Sequence, residues 1–237
     1  MGGAVVVIAA KRQLRGERFM DTLKAVIFDM DGLMFDTERL GIDAWLYVGD
    51  KMNLAITEEI ALKTIGRSWD GSKKILFDEV KEFDFDNARI SWQNYINDYI
   101  NESGMPVKSG LIELLSFLDE AKIKKAVATG SYYNDVLFYM NKAGISNRFD
   151  VIITGEMVSR GKPDPDIFIH TAKVLNVTPN ECMVLEDSIN GIKSAYSAKM
   201  IPVMIPDLIP ANDEIEPLLY AELISLTDVI PLITSLQ

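Results

Sequence analysis

Beyond residue 105 the chain alternates between two hydrophobic patterns. Short, mostly apolar runs occur at 125–128, 151–154, 183–185 and 201–205, the form taken by strands buried on both faces. Between and before them, apolar residues recur at helical spacing over 111–121, up to Gly144, over 166–175 and over 188–198. Alternating strands and helices predict a parallel sheet covered on both sides, an α/β doubly wound core. A further four-residue run, Ala25–Phe28, lies far upstream and belongs in the same sheet, because a lone strand has nothing on which to bury two apolar faces. The intervening residues 36–104 are helical throughout. Leu40, Ala44, Tyr47, Val48 and Met52 mark one helix, and Thr57-Glu-Glu-Ile starts a second that Gly66 stops. Leu76 and Val80 mark a third; Ile90, Ile96, Tyr99 and Ile100 mark a fourth, closed by Gly104 with Pro106 beyond. The expected organisation is therefore a core made of 21–35 and 105–237, interrupted by a four-helix insert at 36–104. A short strand near 219–223 and a last helix near 227–236 close the sheet.

Residues 1–20 fit neither part. The apolar run Ala4–Ala10 precedes Lys11, Arg12, Arg15 and Arg18, the reverse of the order in a signal peptide, and is too short to span a bilayer. With Met20 just before the first strand, this stretch reads as an extension upstream of the natural start, with an ordered amino-terminal arm as the alternative.

Composition narrows the chemistry. The 237 residues are 48% hydrophobic and 25% charged, an ordinary composition for a folded soluble chain. A formal charge of -11 without any basic block argues against nucleic acid as a partner, and no membrane association is expected. The single cysteine, Cys182, excludes an internal disulfide and a thiolate metal cage and suits a reducing, cytoplasmic setting; it reads as a buried small hydrophobe. The single histidine, His170, excludes paired-histidine metal sites and reads as helix packing or surface. Carboxylates remain as metal ligands, with a hard cation such as magnesium as their guest.

The carboxylates are at the ends of predicted strands. Asp29 and Asp31 follow the Ala25–Phe28 run two residues apart, which on extended backbone turns both side chains the same way, and Gly32 then lets the chain turn out. Two close acids call for a cation between them; the plain alternative is an acidic strand-end turn. Thr129-Gly130-Ser131 offers a hydroxyl and backbone N–H groups to an anion, or an N-cap through Ser131 or Asn134. Gly161-Lys162-Pro163-Asp164-Pro165 holds Lys162 on a stiff turn, as either a preplaced ammonium or a solvated lysine. Glu186-Asp187-Ser188 places two acids at a strand end, as a metal ligand with a neighbour behind it or as an acidic helix cap.

In their order and positions these four stretches resemble the motifs of the haloacid dehalogenase superfamily, from about Leu23 to Leu236. The resemblance implies a Rossmann-like core with a helical cap, and it assigns roles. Asp29 is the nucleophile that forms an aspartyl phosphate, and Asp31 is the general acid and base. Thr129, Gly130 and Lys162 bind phosphate. Magnesium lies between Asp29, Asp187 and the carbonyl of Asp31, with Glu186 behind. Family dehalogenases carry tyrosine, and phosphonate hydrolases alanine, at the position of Asp31, so both are disfavoured. Gly66-Arg67-Ser68 resembles the cap's substrate loop, with Arg67 a candidate contact for substrate or a solvated surface residue; Trp45, Trp69 and Trp92 read as core of the insert, with Trp69 the one also expected in the cleft. The chain resembles β-phosphoglucomutases along most of its length, but those carry a histidine a few residues after the first motif, and none stands around Leu40. The expectation is a monomeric, magnesium-dependent phosphatase of a small phosphorylated metabolite, a sugar or polyol phosphate. A sugar phosphate mutase, and a non-catalytic binding or regulatory protein on the same fold, are the alternatives.

Overall fold

In the computed structural model, which describes residues 23–67, 69–81 and 83–235, Ala25–Phe28 forms β1 with all four side chains buried. The other strands are β2 (Lys124–Thr129), β3 (Val151–Thr154), β4 (Cys182–Glu186), β5 (Ile201–Met204) and β6 (Ala221–Glu222). Among the described residues these six make one sheet in the order β3-β2-β1-β4-β5-β6, and every pairing is parallel. The strand order reverses at β1, which pairs with β2 on one side and β4 on the other, so a crevice opens at its carboxyl end.

Alternation along β1 shows how the two faces are used. Val26 and Phe28 pack toward α5 (Leu111–Glu120), α6 (Tyr133–Lys142) and α9 (Val229–Ser235), while Ala25 and Ile27 pack toward α7 (Asp166–Leu175) and α8 (Ile189–Ser197). The core elements stand where the hydrophobic pattern puts them, within a residue or two for most, and Val151–Thr154 and Asp166–Leu175 without any shift. The strand near 219–223 shortens to two residues, and the residues before Leu23, including the arm at 1–20, lie outside those described.

Residues 37–103 carry α1 (Thr37–Met52), α2 (Glu58–Leu62), α3 (Trp69–Val80) and α4 (Phe85–Ser103). Local signals set their limits: Thr57 accepts from Ile60 N–H at 3.3 Å, Asp84 accepts from Asn87 N–H at 3.1 Å, and Gly104 ends α4 at φ 87°. Trp45, Val48, Leu76, Phe85 and Ala88 form a cluster within these helices. Ile90, Tyr99 and Tyr47 fit the helical period but are 52%, 43% and 42% exposed, because Ile96 and Ile100 on α4 and Ala44 and Val48 on α1 already fill the space between the packed helices.

The chain enters and leaves this bundle side by side. Phe35 bridges to Val107, Asp36 N–H donates to Pro106 O at 2.8 Å, and Lys108 N–H donates to Met34 O at 2.9 Å. Lys108 Nζ then ties Asp36, at 3.2 Å, to Asp207, at 2.7 Å. No described helix is long and apolar enough to cross a membrane.

Candidate active site

Asp29 follows β1, Thr129 ends β2 and Asp187 follows β4, so the reversal in strand order brings them to one place. Met30 is buried between Asp29 and Asp31, and both acids line one cavity of about 510 Å³ between the strand ends and the helical bundle. Thr129, Gly130, Lys162, Asp187 and Arg67 line it too, so most of the expected site residues share one space. A cavity of this size suits a small metabolite.

At the floor, Lys162 comes from the turn before α7. Its ammonium donates to Asp29 Oδ1, to Glu186 Oε1 at 2.6 Å and to Ala128 O at 3.1 Å. Burial pulls the lysine pKa down, but the charges of Asp29 and Glu186 more than offset this and raise it above its ordinary value. Burial pushes the Asp29 carboxyl up to about 7 against the pull of Lys162, with Glu186 and Asp31 adding to the rise. Asp187 is raised well above the carboxylate range, by burial first and then by Glu186 and Asp29.

Glu186 is fully buried and its acceptors are taken. Oε1 faces Lys162, and Oε2 accepts from Ser188 N–H at 3.0 Å and Ser188 Oγ–H at 2.8 Å. Ser188 in turn caps α8 by accepting from Gly191 N–H at 3.0 Å, so the cap is a serine and not an acid. A Cβ on Gly191 would lie 1.8 Å from Glu186, which is why glycine stands in the first turn of α8.

Asp31 is held by hydroxyls that the strand pattern does not reveal. Thr37 Oγ1 donates to Oδ1 at 2.7 Å and Ser131 Oγ donates to Oδ2 at 2.6 Å, with Thr129 Oγ1 more distant at 3.5 Å. Ser131 is therefore not a helix cap; Tyr132 takes the N-cap position of α6 without a side-chain bond. Thr37 and Ser131 stand within the motif stretches, and that adjacency is the signal that could have found them. Glu38 follows Thr37. Burial, and after it the Asp31 charge, pushes its carboxyl up to about 8, and it accepts from Gly66 N–H at 3.3 Å. On the other side Asn190 Nδ2 donates to Gly66 O at 3.4 Å, so the loop carrying Arg67 is fastened over the site from both flanks. Arg67 is exposed at the cavity margin; Ser68 lies outside the described residues.

The aromatic expectation is too narrow. Trp69 lines the cavity, but so do Trp45 and Trp92, and Trp69 and Trp92 meet edge to face at 4.9 Å. Trp92 Nε1 donates to Gly41 O at 2.9 Å. His170 is half-buried on α7, and Cys182 is buried, its thiol pushed up to about 12 by burial.

Among the described residues no three His, Cys, Asp or Glu side chains are gathered to hold a metal ion. The expected set asks for two carboxylates and a main-chain carbonyl. Asp187 Oδ2 lies 2.2 Å from where a Cβ of Gly32 would be, pressed against the turn that carries the Asp31 carbonyl, and Asp29 lines the same floor. Gly32 adopts φ +81° there, so glycine meets both the backbone and the space requirement. An all-oxygen set of this charge suits a hard divalent cation. The Asp31 side chain, turned to its hydroxyls, takes no part in it.

The family model for haloacid dehalogenase-like hydrolases matches residues 23–199. The chain belongs to that family. It is 32% identical over 183 residues to a phosphorylated carbohydrates phosphatase of Thermotoga maritima, covering 74% of this chain and 82% of that protein. It is 30% identical over 192 residues to a β-phosphoglucomutase of Bacillus subtilis, covering 76% and 82%. The crystal structure of a β-phosphoglucomutase from Clostridium difficile is similar with a TM-score of 0.77 at 27% identity, over 90% of this chain and 96% of that one. The doubly wound parallel sheet and the family membership thus agree with the sequence reading.

Proposed function

We propose that this family member is a magnesium-dependent phosphatase of a small phosphorylated sugar or polyol, with Asp29 as nucleophile. The observation that carries the reading is the Lys162 ammonium held against Asp29 at the floor of the cavity while hydroxyls hold Asp31 at its wall. The Asp29 carboxylate attacks phosphorus, a phosphorus–oxygen bond forms as the bond to the leaving oxygen breaks, and an aspartyl phosphate results. Asp31 gives its proton to the leaving alcohol, then takes one from the water that hydrolyses the intermediate. Thr129 Oγ, the Gly130 N–H and Lys162 offset charge on the equatorial oxygens. Asp29, Asp187 and the Asp31 carbonyl would hold magnesium, which supplies charge neutralisation for the approaching phosphate dianion. Residues 36–104 act as the cap that excludes water, over a core of 21–35 and 105–237, and Glu186 acts by fixing Lys162.

The likeness to β-phosphoglucomutases favours a mutase as the second reading. Against it, no histidine stands around Leu40, and the place beside it is filled: a Cβ on Gly41 would come within 3.1 Å of the Trp92 ring. The test is phosphate release with magnesium from sugar, polyol and nucleotide phosphates, run beside glucose 1-phosphate isomerisation with a bisphosphate primer. Release from one or a few small esters supports the phosphatase; isomerisation without net release overturns it.

A further inference from the structure

Gln93 on α4 and Tyr139 on α6 meet across the cavity, one from the helical bundle and one from the sheet's covering helix. Gln93 Nε2 donates to Tyr139 Oη at 3.1 Å and to Asn97 Oδ1 at 3.1 Å. Both amide protons are thereby used, which leaves the Gln93 carbonyl oxygen to accept, and Tyr139, which accepts from Gln93, keeps its own proton to donate. Asp135 lies one helical turn before Tyr139 on the same face of α6 and lines the same cavity. Asp31 lines this cavity as well and accepts from Ser131, four residues before Asp135 at the entry to α6. This wall offers one carboxylate, one amide oxygen and one phenol. Glu156 adds negative charge beside Asp135, and Arg89 stacks over Trp69 and Tyr132.

We propose that Asp135, Gln93 and Tyr139 recognise the hydroxyl groups of the leaving alcohol, so that the substrate is the phosphate monoester of a neutral polyhydroxylated molecule. A carboxylate and an amide oxygen accept from neighbouring hydroxyls, and the phenol donates to one; a second phosphate set directly against Asp135 and Glu156 would meet like charge. The inference rests on the phosphatase reading.

The experiment compares kcat/KM for a linear polyol phosphate, a hexose phosphate and 4-nitrophenyl phosphate, whose leaving group has no further hydroxyl. It uses the full chain with magnesium, and the variants Asp135→Asn, Gln93→Leu and Tyr139→Phe. Each variant is expected to lower the ratio of the best polyhydroxylated ester to the aryl ester about tenfold, the effect of losing one or two hydrogen bonds. A structural role would lower both values together; an unchanged ratio in all three variants overturns the inference. A wild-type protein that cleaves the aryl ester but no polyhydroxylated ester also overturns it, with the phosphatase reading intact. A wild-type protein that releases phosphate from none of the esters overturns both.

Discussion

Lys162 Nζ donates to Glu186 Oε1 at 2.6 Å, and the same ammonium lies against Asp29. One buried cation therefore holds two buried acids, and in the proposed mechanism Glu186 acts by fixing the lysine that faces Asp29. Replacing Lys162 by Met leaves both carboxylates uncompensated, a change that costs about 3–5 kcal/mol in buried pairs. Lys162→Met is expected to lower the melting temperature and to reduce kcat/KM by a hundredfold or more, read by thermal unfolding and phosphate release. A fully stable variant with near-normal turnover would remove the lysine from the mechanism.

Asp29→Asn keeps the shape of the proposed nucleophile and removes its reactivity. The variant is expected to fold, to bind magnesium more weakly and to show no turnover. Circular dichroism, magnesium titration and phosphate release check the three parts, and retained hydrolysis refutes the covalent step.

Ser131→Ala and Thr37→Val each take one hydroxyl from Asp31. With the carboxyl less well placed, kcat is expected to fall about tenfold while KM changes little, and the loss should be larger for alkyl than for aryl esters, which need less help from an acid. Equal losses on both ester types would mean that the hydroxyls serve only to hold the fold together.

Gly32→Ala meets two obstacles, a φ of +81° and the Asp187 Oδ2 atom 2.2 Å from the new methyl. Displacing Asp187 should weaken magnesium affinity about tenfold or more, and the backbone strain should cost about 1–3 kcal/mol. Calorimetric titration with magnesium and melting curves in its absence separate the two effects.

Glu38 titrates near pH 8 in the folded chain, above its ordinary value, because burial and Asp31 disfavour its charge. A carboxyl with a raised folded pKa holds a proton that the unfolded chain has released, so stability is lost as pH climbs from the ordinary range through 8. In metal-free buffer Glu38→Gln should match the parent near pH 5 and melt higher than it by several degrees near pH 8.5. A difference independent of pH would show that Glu38 ionises normally.

Where the sequence was legible, one local property was enough. Continuous apolar runs gave the strands, helical spacing gave most of the helices, and the motif stretches put Asp29, Asp31, Thr129 and Asp187 at strand ends and Lys162 on the stiff turn before a helix. Ile90 and Tyr99 show where that logic stops, since periodicity marks a face but not whether a neighbour covers it.

The sequence by itself determined the doubly wound sheet, the helical insert and the set of acids and cations at the strand ends, because these follow from side-chain period and backbone freedom over a few residues. The tertiary structure alone decided the rest. It turned Ser131 from a helix cap into a partner of Asp31, turned Glu186 toward Lys162, brought Trp45 and Trp92 to the cavity beside Trp69, and joined Gln93 to Tyr139. Gln93 and Tyr139 are separated by more than forty residues of chain. Each has its own local helix, and nothing in either stretch encodes the other; only the packing of the bundle over the end of the sheet brings them together.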